Sequence, residues 1–302
     1  GNDTVLIQTG DMVDRGPQSL EVVKTFMRLK GEAESAGGSV INLLGNHEVL
    51  VMDGKTMYCN PQEIQYWGGR KEFLDQTKPG SPIGDFVRSL HIAVVLDNTL
   101  YVHGGLTPAM ARLEMDKTGR DSALNSIGFK ALSQPYSQRT KMQNAVLYGS
   151  TSPLWNRVFE VGKKGSYEDL CKVVKETLAI CKVERMVIGH NVQNNGQPTF
   201  ACSGTLIEMD VGMSEAVLDS NPVALEISRT LECTQKISLI APLKNSSSEH
   251  DERLEFRDAL EVEGSRPRPK TSSGFWALLA VGWGIMGVYI LLVYGWKRQS
   301  NH

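Results

Sequence analysis

Thr4-Val5-Leu6-Ile7-Gln8-Thr9-Gly10-Asp11-Met12-Val13-Asp14-Arg15-Gly16 is an apolar run that stops at a glycine and then releases two aspartates and an arginine. The run suits a buried strand, and the glycine a chain that turns sharply at its end. A second copy of the device follows: Ser39-Val40-Ile41-Asn42-Leu43-Leu44 leads into Gly45-Asn46-His47-Glu48. Strands of this kind suit a parallel α/β sheet whose C-terminal ends present loops to a crevice, where such sheets place their ligands. The residue types in the loops fit phosphate and cation chemistry. Asp11 offers two hard oxygens that can bridge cations, Asn46 a neutral carbonyl, His47 a proton near neutral pH, and Arg15 a planar fork for phosphate oxygens.

Two later segments repeat the pattern with histidine. Leu100-Tyr101-Val102-His103-Gly104-Gly105-Leu106 and Glu184-Arg185-Met186-Val187-Ile188-Gly189-His190 each read as a strand that delivers an imidazole beside glycine. Imidazole nitrogen is a good ligand for zinc, iron or manganese-type ions. Each motif also has a plainer reading. Asp11 and Asp14 suit turns, Asn46 and Glu48 suit a helix start, and a lone histidine suits a core. Their succession in this order argues for the site. His91, His250 and His302 lack such glycines and read as ordinary, and Asp210, ahead of Gly212, reads as structural rather than catalytic.

The order GDMVDRG, GNHE, HGGLTP, GH resembles the calcineurin-like metallophosphoesterases, in particular the phosphoprotein-phosphatase group. Pro153-Leu154-Trp155-Asn156-Arg157 and Leu206 to Ser214 are similar to its Shewanella-like, bacterial-type branch. The resemblance covers about residues 1–215. It implies a metallophosphoesterase-like β-sandwich flanked by helices, and two divalent or trivalent ions (manganese, iron or zinc). Asp11 would bridge them, with Asn46, His103 and His190 completing one. It also implies direct attack of a metal-bridging hydroxide on phosphorus, with His47 as general acid oriented by Asp14, and with Arg15 and Arg157 holding the phosphoryl oxygens. The substrate would be a phosphorylated protein or a small phosphomonoester, of serine/threonine or tyrosine type. The family's first motif, an Asp and a His in a GDxHG turn, is absent from this chain, which starts at Gly1. The expectation is therefore a fragment lacking the first strand, with Asp11 as the one ligand of the second ion and little activity by itself. Two alternatives stay open: an inactive membrane-tethered binding module with this fold, or a hydrolase of nucleotide polyphosphates or polyphosphate.

At 302 residues, 41% apolar and 22% charged, the chain has ordinary globular composition, and a net charge of −2 gives no reason to expect nucleic acid. The five cysteines form no CxxC pair, which excludes zinc-finger and thioredoxin readings. Cys171 and Cys181 read as packing residues. Residues 20–30 read as the first crossover helix, started near Pro17 and stopped at Gly31. Residues 106–150 read as a helical insertion with Leu113, Ile127, Phe129 and Leu132 as its apolar contacts, and residues 166–181 as an amphipathic helix. The phosphoesterase domain is expected to occupy residues 1–243 and a polar spacer residues 244–273. Residues 274–296 carry no charge, with Trp276, Tyr294 and Trp296 near the ends, and read as a single-pass transmembrane helix ahead of a short tail, 297–302.

Overall fold

The computed structural model describes residues 4–115, 122–162, 165–229, 235–241 and 291–295. Its strands are β1 (Val5–Gln8), β2 (Ser39–Asn42), β3 (Ala93–Leu96), β4 (Thr99–Val102), β5 (Arg185–Ile188), β6 (Thr199–Ala201), β7 (Leu206–Glu208), β8 (Ala224–Arg229), β9 (Gln235–Ile240) and β10 (Leu291–Gly295). Its helices are α1 (Ser19–Ser35), α2 (Asn46–Met52), α3 (Pro61–Tyr66), α4 (Arg70–Thr77), α5 (Pro82–Arg88), α6 (Pro108–Met115), α7 (Ala123–Leu132), α8 (Lys141–Tyr148) and α9 (Tyr167–Cys181). One sheet has the order β2-β1-β10-β8-β9 and the other β3-β4-β5-β7-β6.

Alternation along the strands explains why two sheets stack. In β1, Ile7 points into a core shared with Tyr101, Val187, Ile207, Leu225 and Ile237, which come from both sheets. Its neighbour Leu6 joins the other core, with Leu20, Val23 and Phe26 of α1. On the second sheet Leu100, Val102, Met186, Ile188 and Leu206 face that helical core, where Leu170, Val174 and Leu178 of α9 also pack. The period of two thus builds a sandwich with helices outside. Pairing of β1 with β2, and of β4 with β5, is parallel. As a result Gly10, Gly45, His103 and His190 all leave their strands at one edge of the sandwich.

Several expectations need correction. Helix α1 runs through Gly31 to Ser35, because a glycine costs only about 1 kcal/mol in a helix and Leu29 and Ala33 still bury on the same face. Phe129 in the insertion is 55% exposed, while Leu132 is buried. Cys171 is not a packing thiol, since it forms a disulfide with Cys202 that ties α9 to the turn between β6 and β7. Of the uncharged stretch 274–296 only residues 291–295 are described, and they form β10, antiparallel to β1 and parallel to β8, not helix. Strand β1 is therefore paired on both sides, which satisfies backbone groups that an edge would expose. The remainder of that stretch, the spacer 244–273 and the tail 297–302 lie outside the described residues. Among the described residues no helix is long and apolar enough to cross a membrane.

The insertion is pinned beside the site by one ion pair. Arg139 donates through both terminal nitrogens to Asp53 at 2.6 Å each, Tyr148 donates to the same carboxylate, and Asp53 caps the end of α2. Such a bidentate contact is geometrically demanding, so it sets the insertion's position more than its stability.

The Cys171–Cys202 link closes a loop of 31 residues of separation. Replacing both cysteines with serine should lower unfolding stability by about 2–4 kcal/mol, read from urea titration. An unchanged midpoint would show that the link does not form.

Candidate metal centre and active site

Two strand-end loops are locked together by one carboxylate. Glu48, fully buried near the start of α2, accepts hydrogen bonds at Oε2 from the backbone N–H of Asp11 (2.8 Å) and Gly45 (2.7 Å). Its Oε1 accepts from Met12 (2.6 Å) and Val13 (3.2 Å). Burial, and then the Asp11 charge, raise this carboxyl, while the N–H donors favour its charged form. The backbone turns sharply around the site. Asp11, Asp14, Arg15 and His190 all have φ between 59° and 76°, a region that side chains rarely adopt. The glycines permit the close approach: a Cβ on Gly45 would run into the Asp11 carboxylate, and one on Gly10 into Gly45 and His103.

Within this frame four side chains converge. His103 is hydrogen-bonded through Nδ1 to the Thr9 carbonyl at 2.7 Å, and its Nε2 lies 2.9 Å from Asn46 Oδ1 and 3.3 Å from Asp11 Oδ2. Burial opposes charge on this imidazole, but Asp11 outweighs it and raises the pKa, so Nε2–H donates to these oxygens. A cation in place of that proton would be held by Nε2, Asn46 Oδ1 and Asp11 Oδ2 together. His190 adds to this. It is buried, its Nε2 has no hydrogen-bond partner, and burial together with the nearby His103 lowers its pKa to about 3, so it is neutral and free to bind a metal. Ligand atoms of Asp11, His103 and His190 all lie within 4.8 Å of one another. The nitrogen and oxygen donor set fits zinc, iron or manganese, and the Thr9 bond is the outer contact that orients a ligating histidine. Among the described residues this is the one cluster of at least three His, Cys, Asp or Glu side chains suited to a metal, so only one ion of the expected pair has a full set here.

Beside it sits a second group. His47 Nδ1 is 2.7 Å from Asp14 Oδ2, which leaves Nε2 facing Arg15 Nη2 at 3.5 Å and Asp11 Oδ2 at 4.0 Å. Burial opposes charge on this imidazole, but Asp11 and Asp14 outweigh it and raise its pKa. Asp14 Oδ1 in turn accepts from the Cys59 thiol at 2.9 Å. Arg157 reaches the rim, where it donates to Asn191 Oδ1 (3.2 Å) and pairs with Glu160 (3.6 Å), and its charge is felt at His190. Trp155 lies edge-on to His190 and stacks on Tyr148.

The structure brings together Asp11, Asp14, Arg15, Asn46, His47, His103 and His190, with Arg157 tethered at the edge. Sequence reading missed the roles of Glu48, Cys59 and Asn191. Glu48 has capping spacing, and Asn191 follows a site histidine, but nothing local marks Cys59, which reaches Asp14 from 45 residues away. Asp210 stands close enough to feel Asp11, with burial pushing its carboxyl up to about 6 and Gly212 N–H bound to it.

Residues 1–194 match the model of the calcineurin-like phosphoesterase family. An uncharacterised protein of Schizosaccharomyces pombe is 31% identical over 224 residues, which cover 72% of this chain and 63% of that one. Shewanella-like protein phosphatase 2 of Arabidopsis thaliana is 27% identical, with 76% and 67% covered. The crystal structure of a cold-active protein-tyrosine phosphatase from a psychrophilic Shewanella species superposes with a TM-score of 0.61 at 18% identity, covering 80% of this chain and 78% of that one. That likeness establishes the fold.

Replacing Glu48 with Gln sets an NH₂ group against backbone donors. We expect a loss of about 3 kcal/mol in stability and at least tenfold weaker metal binding, read by thermal unfolding and calorimetry. Unaltered metal affinity would mean that the clamp does not shape the centre.

Proposed function

The chain belongs to the calcineurin-like phosphoesterase family, and on that premise we propose that it hydrolyses phosphomonoesters, with phosphorylated protein side chains as the substrate class. The observation that carries this reading is the placing of a cation-ready cluster (Asp11, Asn46, His103, His190) directly beside a His47–Asp14 pair and an exposed arginine. A bound divalent ion there supplies Lewis acidity toward a phosphoryl oxygen and lowers the pKa of water.

This chain's own side chains account for the remaining steps. Arg15 and Arg157 draw the phosphate oxygens in and offset their charge as the bond breaks. Asp14 holds His47 by Nδ1, so the proton on Nε2 points out of the dyad toward the leaving oxygen. The Asp14 contact at Nδ1 favours the protonated form of the ring. Protonating an alkoxide in this way is typically worth about 10²–10⁴-fold. The relatives named as protein phosphatases support a phosphoprotein substrate, and the Cys171–Cys202 link supports an oxidising compartment. Membrane attachment through residues 274–290, the part of the uncharged stretch ahead of β10, belongs to the same proposal and rests on their uncharged sequence.

Replacing His47 with Asn should cut turnover of phosphoserine peptides at least a hundredfold but that of p-nitrophenyl phosphate far less, because nitrophenolate leaves without help. Metal content, measured by elemental analysis, should not change. Metal loss, or equal damage to both substrates, would contradict a proton-donor role.

A further inference from the structure

One exposed aromatic stands against the His47 ring. The Tyr58 ring packs edge-on against His47, with centroids 5.2 Å apart and planes at 68°, and yet Tyr58 is 49% exposed. Its neighbour Met57 is 66% exposed. Neither side chain has a core to fill. The backbone that carries Tyr58 is nevertheless tied down on both flanks. Arg15 N–H donates to the Tyr58 carbonyl at 2.8 Å, and Asn60 Nδ2 donates to the Arg15 carbonyl at 2.9 Å. Between them Cys59 holds Asp14. The backbone of this segment is thus fastened to the two residues that surround His47 before any substrate arrives, which reduces the ordering cost of binding.

We propose that Tyr58 is a specificity-determining residue that selects esters with an aromatic leaving group, phosphotyrosine above phosphoserine. This rests on the reading of His47 as proton donor. A group accepting the His47 proton must bring its oxygen to about 3 Å from Nε2. In an aryl ester the ring begins one bond beyond that oxygen, and a ring that lies toward Tyr58 would meet it in the usual range of aromatic pairs, about 4.5–7 Å. A serine side chain offers a single methylene at the same place and gains little from the ring. Met57 extends the apolar surface outward, since a thioether makes favourable contacts with ring edges.

The test compares phosphotyrosine and phosphoserine peptides of otherwise identical sequence, using the manganese-loaded full chain. The aryl-to-alkyl ratio of kcat/KM should fall about three- to tenfold in Tyr58→Ala and stay within about twofold in Tyr58→Phe. Binding of phenylphosphonate and of methylphosphonate, measured by calorimetry, should show the same loss of preference without requiring turnover. If the unaltered protein hydrolyses neither peptide, the phosphatase reading fails, while the phosphonate pair still judges Tyr58. A ratio unmoved by Tyr58→Ala in both measurements, including equal losses on both ligands, would overturn the proposal.

Discussion

The acceptance of backbone N–H groups from Asp11, Met12, Val13 and Gly45 by a single buried carboxylate, Glu48, is the contact on which the centre depends. Parallel pairing of β1 with β2 brings their C-terminal ends side by side, but it leaves the next residues free to take many paths. The clamp removes that freedom. It holds Asp11 in a left-handed conformation and draws Gly45 under its carboxylate, which in turn places Asn46 and His47 at the head of α2. Contacts of this kind to an ionised acceptor are stronger than neutral ones, and inside a protein the loss of one partner is costly. Strain in the Asp11, Asp14 and Arg15 backbone is therefore balanced by a specific bond network rather than by packing alone.

The same frame explains the division of chemical labour among histidines that differ little in composition. His103 has its Nδ1 committed to the Thr9 carbonyl, so its Nε2 is left to face Asn46 and Asp11. His190 is buried, kept neutral by burial and by its neighbour, and left with an unpartnered nitrogen. His47 instead meets Asp14, which favours its protonated form. Position rather than basicity separates His103 from His47, since Asp11 raises the pKa of both, while His190 is the imidazole kept neutral. An unmet lone pair in the core is destabilising, so a cation bound there also completes the fold.

Much of this was legible from the chain. Apolar runs ending in glycine located β1, β2, β4 and β5, because a buried strand needs little beyond its own pattern. The amphipathic spacing of Leu170, Val173, Val174 and Leu178 likewise located α9, with Val173 only partly buried. Features that depend on distant partners were not legible. Cys171 finds Cys202 through the turn between β6 and β7, a pairing that spacing does not encode. Residues 291–295 read as part of a long apolar helix, but they occupy a place between β1 and β8 that only the assembled sheet defines. Glu48 was visible as a cap for α2, and its larger part in holding the β1 loop required the two strands to be set side by side.

The central claim is that Asp11, Asn46, His103 and His190 form one cation site. Anomalous diffraction from crystals soaked with manganese tests it most directly. The account predicts a peak within bonding distance of all four side chains, with His103 Nδ1 still held by the Thr9 carbonyl. Manganese bound elsewhere, with these side chains remaining in contact only with one another, would contradict it.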